Sequence, residues 1–140
     1  MIAPPEELLN FLRTEDNFII ATHFSPDGDA LGSSLALWYA LKGLRKNAVL
    51  LDKDNIGEQY KFLPSRENFR TFSTLQSPES YRNLILIDCN DIDRVTLDAA
   101  QAGILKNKYS AVIDHHKSER PFGNIRWVEP HIAATGLMIF

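Results

Sequence analysis

The sequence has little of three features that would mark it as secreted or membrane-bound. Its one cysteine, Cys89, cannot form an internal disulfide and is predicted to be a small buried hydrophobe. No apolar run approaches the roughly 20 residues that a membrane-spanning helix needs. The first seven residues lack the basic start and apolar core of a secretory signal. These absences predict a cytoplasmic protein without a transmembrane helix.

Positive charge is also scarce. The chain has 15 lysines and arginines against 18 aspartates and glutamates, a formal net charge of −3. Proteins that bind long duplexes through their phosphates usually carry a strong basic excess. Duplex DNA is therefore not an expected partner, and any nucleic-acid substrate should be short. Bound divalent cations could supply the local positive charge that the side chains do not.

Apolar runs and helical periodicities alternate along the 140 residues, the length of one domain. The segment 52–76 is irregular, and residues 133–140 have the pattern of the first turns of a helix. Strands are predicted at 17–22, 47–51, 84–87, 109–113 and, as an edge strand, 125–128; helices are predicted at 4–12, with prolines at its start, 30–44 and 95–105. This alternation predicts an α/β fold, a doubly wound, mainly parallel sheet with helices on both faces. The first helix is expected to cover a sheet edge.

Acidic and imidazole side chains follow three of the predicted strands directly. Parallel strands have their carboxyl ends along one edge of a sheet, where open α/β sheets bind ligands. Asp29 also stands where the N-cap of the helix 30–44 is expected. The side chains expected to converge at this edge are His23, Asp27, Asp29, Asp88, Asp114, His115 and His116.

So many carboxylates in one crevice would repel one another unless cations were bound between them. Aspartate oxygens and histidine nitrogens without a thiolate suit Mn²⁺ best, with Mg²⁺, Co²⁺ or Fe²⁺ as alternatives, and disfavour a structural zinc site. Two such ions bridged by a carboxylate would activate water and neutralise charge as a P–O bond breaks. The pattern therefore predicts a two-metal phosphoesterase.

Three ordered motifs carry a resemblance to a known family. The sequence HFSPDGDALGSS at 23–34, followed by Leu86-Ile87-Asp88 and Asp114-His115-His116, resembles the DHH phosphoesterase superfamily. The stretches PFG at 121–123 and AATG at 133–136 resemble its bacterial branch of oligoribonucleases and phosphoadenosine-phosphate phosphatases. The resemblance spans nearly the whole chain.

This resemblance implies a ligand set for two metal ions. His23 and Asp27 would bind the first ion, Asp29 and His115 the second, and Asp88 would bridge both. The superfamily carries a further aspartate ligand on a later strand and a smaller C-terminal domain, and neither occurs in residues 1–140. The chain is therefore expected to be the metal-binding domain alone, truncated near residue 140 and nearly inactive by itself.

The resemblance also implies roles for the remaining motif residues. His116 would face the scissile phosphate, and Asp114 would support the paired histidines, either as an orienting carboxylate or as an additional ligand. Glu119 stands where the branch usually has asparagine, and Leu137 where it usually has glutamate. These departures bear on substrate preference and leave the metal motifs intact.

Short oligoribonucleotides or small nucleotides such as phosphoadenosine phosphate are the substrates that the resemblance implies. A cyclic-dinucleotide phosphodiesterase, a single-strand exonuclease and a pyro- or polyphosphatase are alternatives, and a homodimer is an alternative to a monomer. A Mg²⁺-dependent receiver-type signalling module needs a lysine after its last core strand, for which Lys117 is the nearby candidate. A calcium loop starting at Asp27 would need glutamate where Trp38 stands.

Several conspicuous residues outside the motifs have ordinary structural interpretations. Asp91 and Asp93 are expected to be turn or capping residues, because turns and helix starts favour aspartate. His131 is expected on the surface. Trp38 and Trp127 are expected to pack in the core or at an interface, since nothing in the sequence indicates an exposed stacking surface.

Overall fold

A six-stranded, all-parallel β-sheet runs through the centre of the molecule in the order β3-β2-β1-β4-β5-β6. The computed structural model describes residues 2–140. The strands are β1 (Phe18–Ala21), β2 (Ala48–Leu51), β3 (Phe69–Arg70), β4 (Asn83–Ile87), β5 (Tyr109–Asp114) and β6 (Ile125–Val128). The helices are α1 (Glu6–Thr14), α2 (Gly28–Gly43), α3 (Ala99–Lys106) and α4 (Gly136–Ile139). Sequence order reverses between β1 and β4, which leaves a crevice at their carboxyl ends.

Helices cover both faces of the sheet, as the alternation of apolar segments predicted. Side chains of successive strand residues point to opposite faces, so Phe18 and Ile20 of β1 join one core cluster and Ile19 joins the other. Helices α1 and α2 pack in the first cluster, and α3 packs in the second. The central strands β1 and β4 are buried along their whole length. None of the described helices is long and apolar enough to cross a bilayer.

Helix α2 begins earlier than predicted, and its N-cap is Asp27 rather than Asp29. The Asp27 carboxylate accepts a hydrogen bond from the Ala30 N–H at 3.0 Å, which satisfies one of the free donors of the first turn. Asp29 lies in that first turn, and its carboxylate accepts from residues at the far end of the chain instead. The prediction of Asp29 as the cap was therefore wrong, because both aspartates suit the position and a distant contact decides between them.

The helix predicted at 95–105 is shorter than expected. A 3₁₀ turn covers Ile92–Arg94, and α3 begins only at Ala99, after Asp98 accepts a hydrogen bond from the Gln101 N–H at 2.9 Å. The intervening Thr96 is fully buried and donates its hydroxyl proton to the Gln101 side chain at 2.7 Å. Burial against the sheet holds this segment in a non-helical conformation despite its apolar spacing.

The irregular segment 52–76 contains one strand that the sequence did not indicate. Residues Phe69–Arg70 form β3, which pairs with Leu50–Leu51 at one edge of the sheet. Two residues are too few to leave a periodic pattern. At the other edge, β6 is the predicted edge strand. Helix α1, which was expected to cover a sheet edge, contacts this edge strand, and its Leu8 and Phe11 pack in the first core cluster.

The ordinary interpretations of the remaining residues are confirmed. Asp91 caps the 3₁₀ turn by accepting the Asp93 N–H at 2.9 Å, and His131 is exposed. Trp127 is buried in the core. Trp38, on α2, packs against the same core cluster and donates its indole N–H to a backbone carbonyl of β2. Cys89 is fully buried, and burial raises the pKa of its thiol to about 12.

Candidate metal centre

All seven side chains singled out from the sequence lie at the carboxyl edge of the sheet, around Asp88. Asp88 follows β4 directly and has a positive φ of 56°, a left-handed conformation that aspartate tolerates better than most residues. The turn after β1 contains a second such residue, Ser25, with φ of 50°. These two turns direct the side chains that follow β1 and β4 into the crevice between them.

The two oxygens of the buried Asp88 carboxylate face two different groups of side chains. Its Oδ2 lies 3.7 Å from His23 Nε2, and its Oδ1 lies 3.4 Å from His115 Nε2. Donor atoms of His23, Asp27 and Asp88 all lie within 4.8 Å of one another, and so do those of Asp88, His115 and His116. Two groups that could each hold a metal ion therefore share one carboxylate.

In both His23 and His115, the hydrogen bond is made by Nδ1, which leaves the other ring nitrogen, Nε2, free. His23 Nδ1 lies 2.9 Å from the carbonyl oxygen of Phe24, and His115 Nδ1 lies 3.0 Å from that of Ile132. A carbonyl can only accept, so each Nδ1 carries the proton and each neutral ring has its lone pair on Nε2. Both Nε2 atoms face the Asp88 carboxylate. This arrangement fits histidines that bind a metal ion.

Asp29 belongs to the His115 side of the centre. Its Oδ2 lies 3.7 Å from His115 Nε2, and its carboxylate also accepts hydrogen bonds from Ser33 Oγ, at 3.2 Å, and from two backbone N–H groups. The exposed Asp27 belongs to the His23 side, although one of its oxygens also caps α2. Each side thus has one histidine and one aspartate in addition to the shared Asp88, and on the His115 side His116 Nδ1 also lies 3.7 Å from Asp88 Oδ1.

The paired histidines differ in their contacts. His116 donates from Nδ1 to Asp114 Oδ1 at 2.7 Å, and its side chain is 42% exposed, against 20% for His115. Asp114 is fully buried and also accepts from the backbone N–H of His115 and, at 2.5 Å, from the side chain of Asn90. These contacts are all with protein donors, which fits an orienting carboxylate better than an additional ligand.

The side chains of the centre shift one another's pKa values. The Asp88 carboxylate, 3.7 Å from Nε2, raises the pKa of His23 above its ordinary value, although burial opposes the charged ring. Burial alone would raise the pKa of Asp88, but the contact with His23, the hydrogen bond from Thr135 and the nearby rings of His116 and His115 together outweigh it, and the pKa is lowered. Asp88 is therefore an anion that needs a cationic partner, and a metal ion would compete with the proton on His23 for that place.

Three residues at this edge of the sheet were not predicted from the sequence to belong to the centre. Thr135 donates its hydroxyl proton to Asp88 Oδ1 at 2.7 Å, and Asn90 bonds both Asp114 and the backbone carbonyl of His116. Asp52 is buried directly after β2, and burial raises the pKa of its carboxyl to about 6. Asp52 had a signal in the sequence, since it follows a strand as Asp88 does, and Thr135 stands in the AATG stretch at 133–136, whereas Asn90 had no signal.

A comparison with protein families decides what kind of domain this edge belongs to. The model of the DHH family, N-terminal domain, matches residues 17–140. This chain belongs to the DHH family. The match includes every residue of the candidate metal centre and agrees with the resemblance carried by the three motifs.

Two relatives of this DHH domain carry the same name, bifunctional oligoribonuclease and PAP phosphatase NrnA. The protein from Thermus thermophilus is 35% identical over 126 residues, which cover 89% of this chain and 36% of that protein. The protein from Bacillus subtilis is 25% identical over 138 residues, 96% of this chain and 40% of that protein. The chain therefore spans well under half the length of these relatives.

One solved structure has the same fold as this DHH domain. It is an exopolyphosphatase-related protein from Bacteroides fragilis, with a TM-score of 0.85 and 23% sequence identity. The alignment covers 96% of this chain and 41% of that protein. At this identity the likeness supports the fold alone.

Proposed function

We propose that this DHH domain is the metal-binding part of a phosphoesterase that hydrolyses short oligoribonucleotides or small nucleotides such as phosphoadenosine phosphate. The observation that carries the proposal is the Asp88 carboxylate, whose two oxygens face His23 and His115 on opposite sides. The names of the Thermus and Bacillus relatives support the choice of substrates. The lack of excess positive charge favours short substrates over long duplexes. The proposed place of action is the cytoplasm.

In this proposal two ions would share Asp88, and His23 and Asp27 would hold one of them while Asp29 and His115 would hold the other. Carboxylate oxygens and imidazole nitrogens without a thiolate suit Mn²⁺, and Mg²⁺ or Co²⁺ are alternatives. When bound, such ions supply Lewis acidity and lower the pKa of water at the scissile phosphate. The protein supplies a carboxylate already ionised and two histidines with Nε2 directed at it.

His116 and Asp114 are proposed to act on the substrate rather than on the ions. Asp114 accepts a hydrogen bond from His116 Nδ1, which fixes the orientation of the ring. Nε2, on the other side of the ring, would then donate to an oxygen of the phosphate and offset the charge that develops there. Asn90 holds this pair by bonding both Asp114 and the His116 carbonyl.

The test is hydrolysis by the complete protein, because the relatives are more than twice as long as this chain and the missing length is proposed to be needed for turnover. Purified protein is assayed with and without Mn²⁺ on dinucleotides to pentanucleotides, phosphoadenosine phosphate, cyclic dinucleotides, pyrophosphate and polyphosphate. Release of mononucleotides or of phosphate from phosphoadenosine phosphate, only with metal, is the expected result. Preference for polyphosphate or a cyclic dinucleotide would contradict the proposed substrate class.

The matched variants are Asp88→Asn and Asp93→Asn. Asp88→Asn keeps the shape of the side chain but removes the proposed bridge, so activity should fall by several orders of magnitude. Asp93 is an exposed carboxylate outside the centre, and its loss should leave activity unchanged. Near-normal turnover of Asp88→Asn would refute the bridging role.

A further inference from the structure

Thr135 lies at the start of α4, far in sequence from the motifs, yet it contacts the centre with both its side chain and its backbone. Its hydroxyl donates to Asp88 Oδ1 at 2.7 Å, across 47 residues, and its N–H donates to Asp29 Oδ2 at 2.8 Å, across 106 residues. Thr135 is fully buried and Asp88 is 1% exposed. Burial shields the bond between the Thr135 hydroxyl and Asp88 from water, which strengthens it.

The Thr135 hydroxyl is not used in the way that threonine at a helix start usually is. A threonine N-cap normally has an extended backbone and accepts a backbone N–H of the first helical turn. Thr135 has helical angles, φ −61° and ψ −31°, and makes no side-chain cap bond. The short helix α4 thus lacks a side-chain cap bond. The Thr135 hydroxyl donates instead to the carboxylate of Asp88, which follows β4.

The neighbouring glycine completes the contact with Asp29. The Gly136 N–H donates to Asp29 Oδ1 at 2.8 Å, so consecutive backbone donors bind both oxygens of one carboxylate. A Cβ at Gly136 would lie 3.3 Å from Asp29 Oδ1 and 3.5 Å from Ser33 Oγ, which is close enough to press on the carboxylate. The small residue at this position permits the approach.

From these contacts we propose that Thr135 is a positioning residue for both halves of the metal centre. Its hydroxyl fixes the rotation of Asp88, which keeps Oδ2 toward His23 and Oδ1 toward His115, and its N–H fixes Asp29 on the His115 side. The inference rests on the proposed function, since it assigns Asp88 and Asp29 as ligands. Carboxylates held by an outer partner bind metal more tightly because less reorientation is needed on binding.

The experiment measures Mn²⁺ binding by calorimetry and by metal analysis in the complete protein, with melting temperature in EDTA recorded for every variant. Thr135→Val removes the hydroxyl and nearly keeps the shape, and it should weaken Mn²⁺ binding by about 10- to 100-fold. Thr135→Ser keeps the hydroxyl and should restore affinity to within about threefold of wild type. Equal Mn²⁺ affinity of Thr135→Val and wild type would overturn the inference, and so would a serine variant as defective as the valine variant.

Thr96→Val is the matched control. Thr96 is equally buried and also donates its hydroxyl to a side chain at 2.7 Å, but its partner is Gln101 in α3. This variant should lower the melting temperature and leave Mn²⁺ affinity unchanged. If Thr96→Val weakened Mn²⁺ binding as much as Thr135→Val, a general loss of packing would explain both, and the positioning role would be refuted.

Two further results keep the outcomes separate. If Thr135→Val does not fold, Gly136→Ala tests the contact between this backbone and Asp29. The variant keeps the Thr135 hydroxyl but displaces the Asp29 carboxylate. Wild-type Mn²⁺ affinity for Gly136→Ala would then overturn the inference. If wild type binds no Mn²⁺, the proposed function fails and the inference fails with it. If wild type binds Mn²⁺ and hydrolyses substrate while Thr135→Val binds equally well, only the inference fails.

Discussion

Replacing Asp52 by asparagine is expected to stabilise the metal-free protein at neutral and basic pH. Asp52 is 1% exposed, and its Oδ1 accepts a hydrogen bond from the Lys53 N–H at 2.8 Å. Burial raises the pKa of this carboxyl from 3.8 to about 6, because an ionised oxygen loses most of its hydration. Asparagine has the same shape and can accept the same hydrogen bond without a charge.

The size of this stabilisation follows from the difference between the pKa of Asp52 in the folded protein and its pKa in the unfolded chain. A difference of about two pKa units, at about 1.4 kcal/mol each, corresponds to about 3 kcal/mol of unfolding free energy. Because the folded-state pKa lies above the unfolded value, the protonated acid is favoured in the folded state. That contribution is fully present below pH 3.8 and is lost as the pH rises through about 6. The advantage of Asp52→Asn should therefore be largest above pH 6 and disappear toward pH 4.

The assay is urea unfolding followed by circular dichroism in EDTA, with wild type and variant compared at each pH from 4 to 8. Glu119→Gln is the control, because it removes a carboxylate charge at an exposed position and should change stability by less than about 0.5 kcal/mol. Equal stabilities of wild type and Asp52→Asn at pH 8 would refute the reasoning. A gain that stays constant down to pH 4 would show that its cause is not the carboxylate charge.

Two other predictions concern the reaction itself. His116→Ala should keep its bound Mn²⁺ while losing most turnover, because His116 is assigned to the phosphate rather than to the ions; loss of both ions on metal analysis would show that assignment wrong. Short oligoribonucleotides should outcompete long ones for the complete protein, since the chain has a net charge of −3 and no basic excess to bind a long backbone; tighter binding of long strands at low salt would contradict this.

The sequence alone determined the fold class and the composition of the centre. Buried parallel strands such as β1 and β4 are continuous apolar runs, so their positions are written locally in the sequence. Because their carboxyl ends share one edge, the residues after each run, His23 and Asp88 among them, could be expected to meet. The apolar spacing from Val95 onward predicted a helix start earlier than Ala99, where α3 begins.

Only the tertiary structure decided which atom of each side chain faces which partner. The bonds from Thr135 to Asp88 and Asp29 join segments 47 and 106 residues apart, and the AATG stretch that contains Thr135 does not indicate which partners it has. The same bonds explain why Asp27, and not Asp29, caps α2. The side-chain bonds of Asn90 to Asp114 and the burial of Asp52 are likewise products of chain packing. Local patterns specify which residues reach the edge of a sheet, whereas hydrogen bonds between distant segments specify how they are held there.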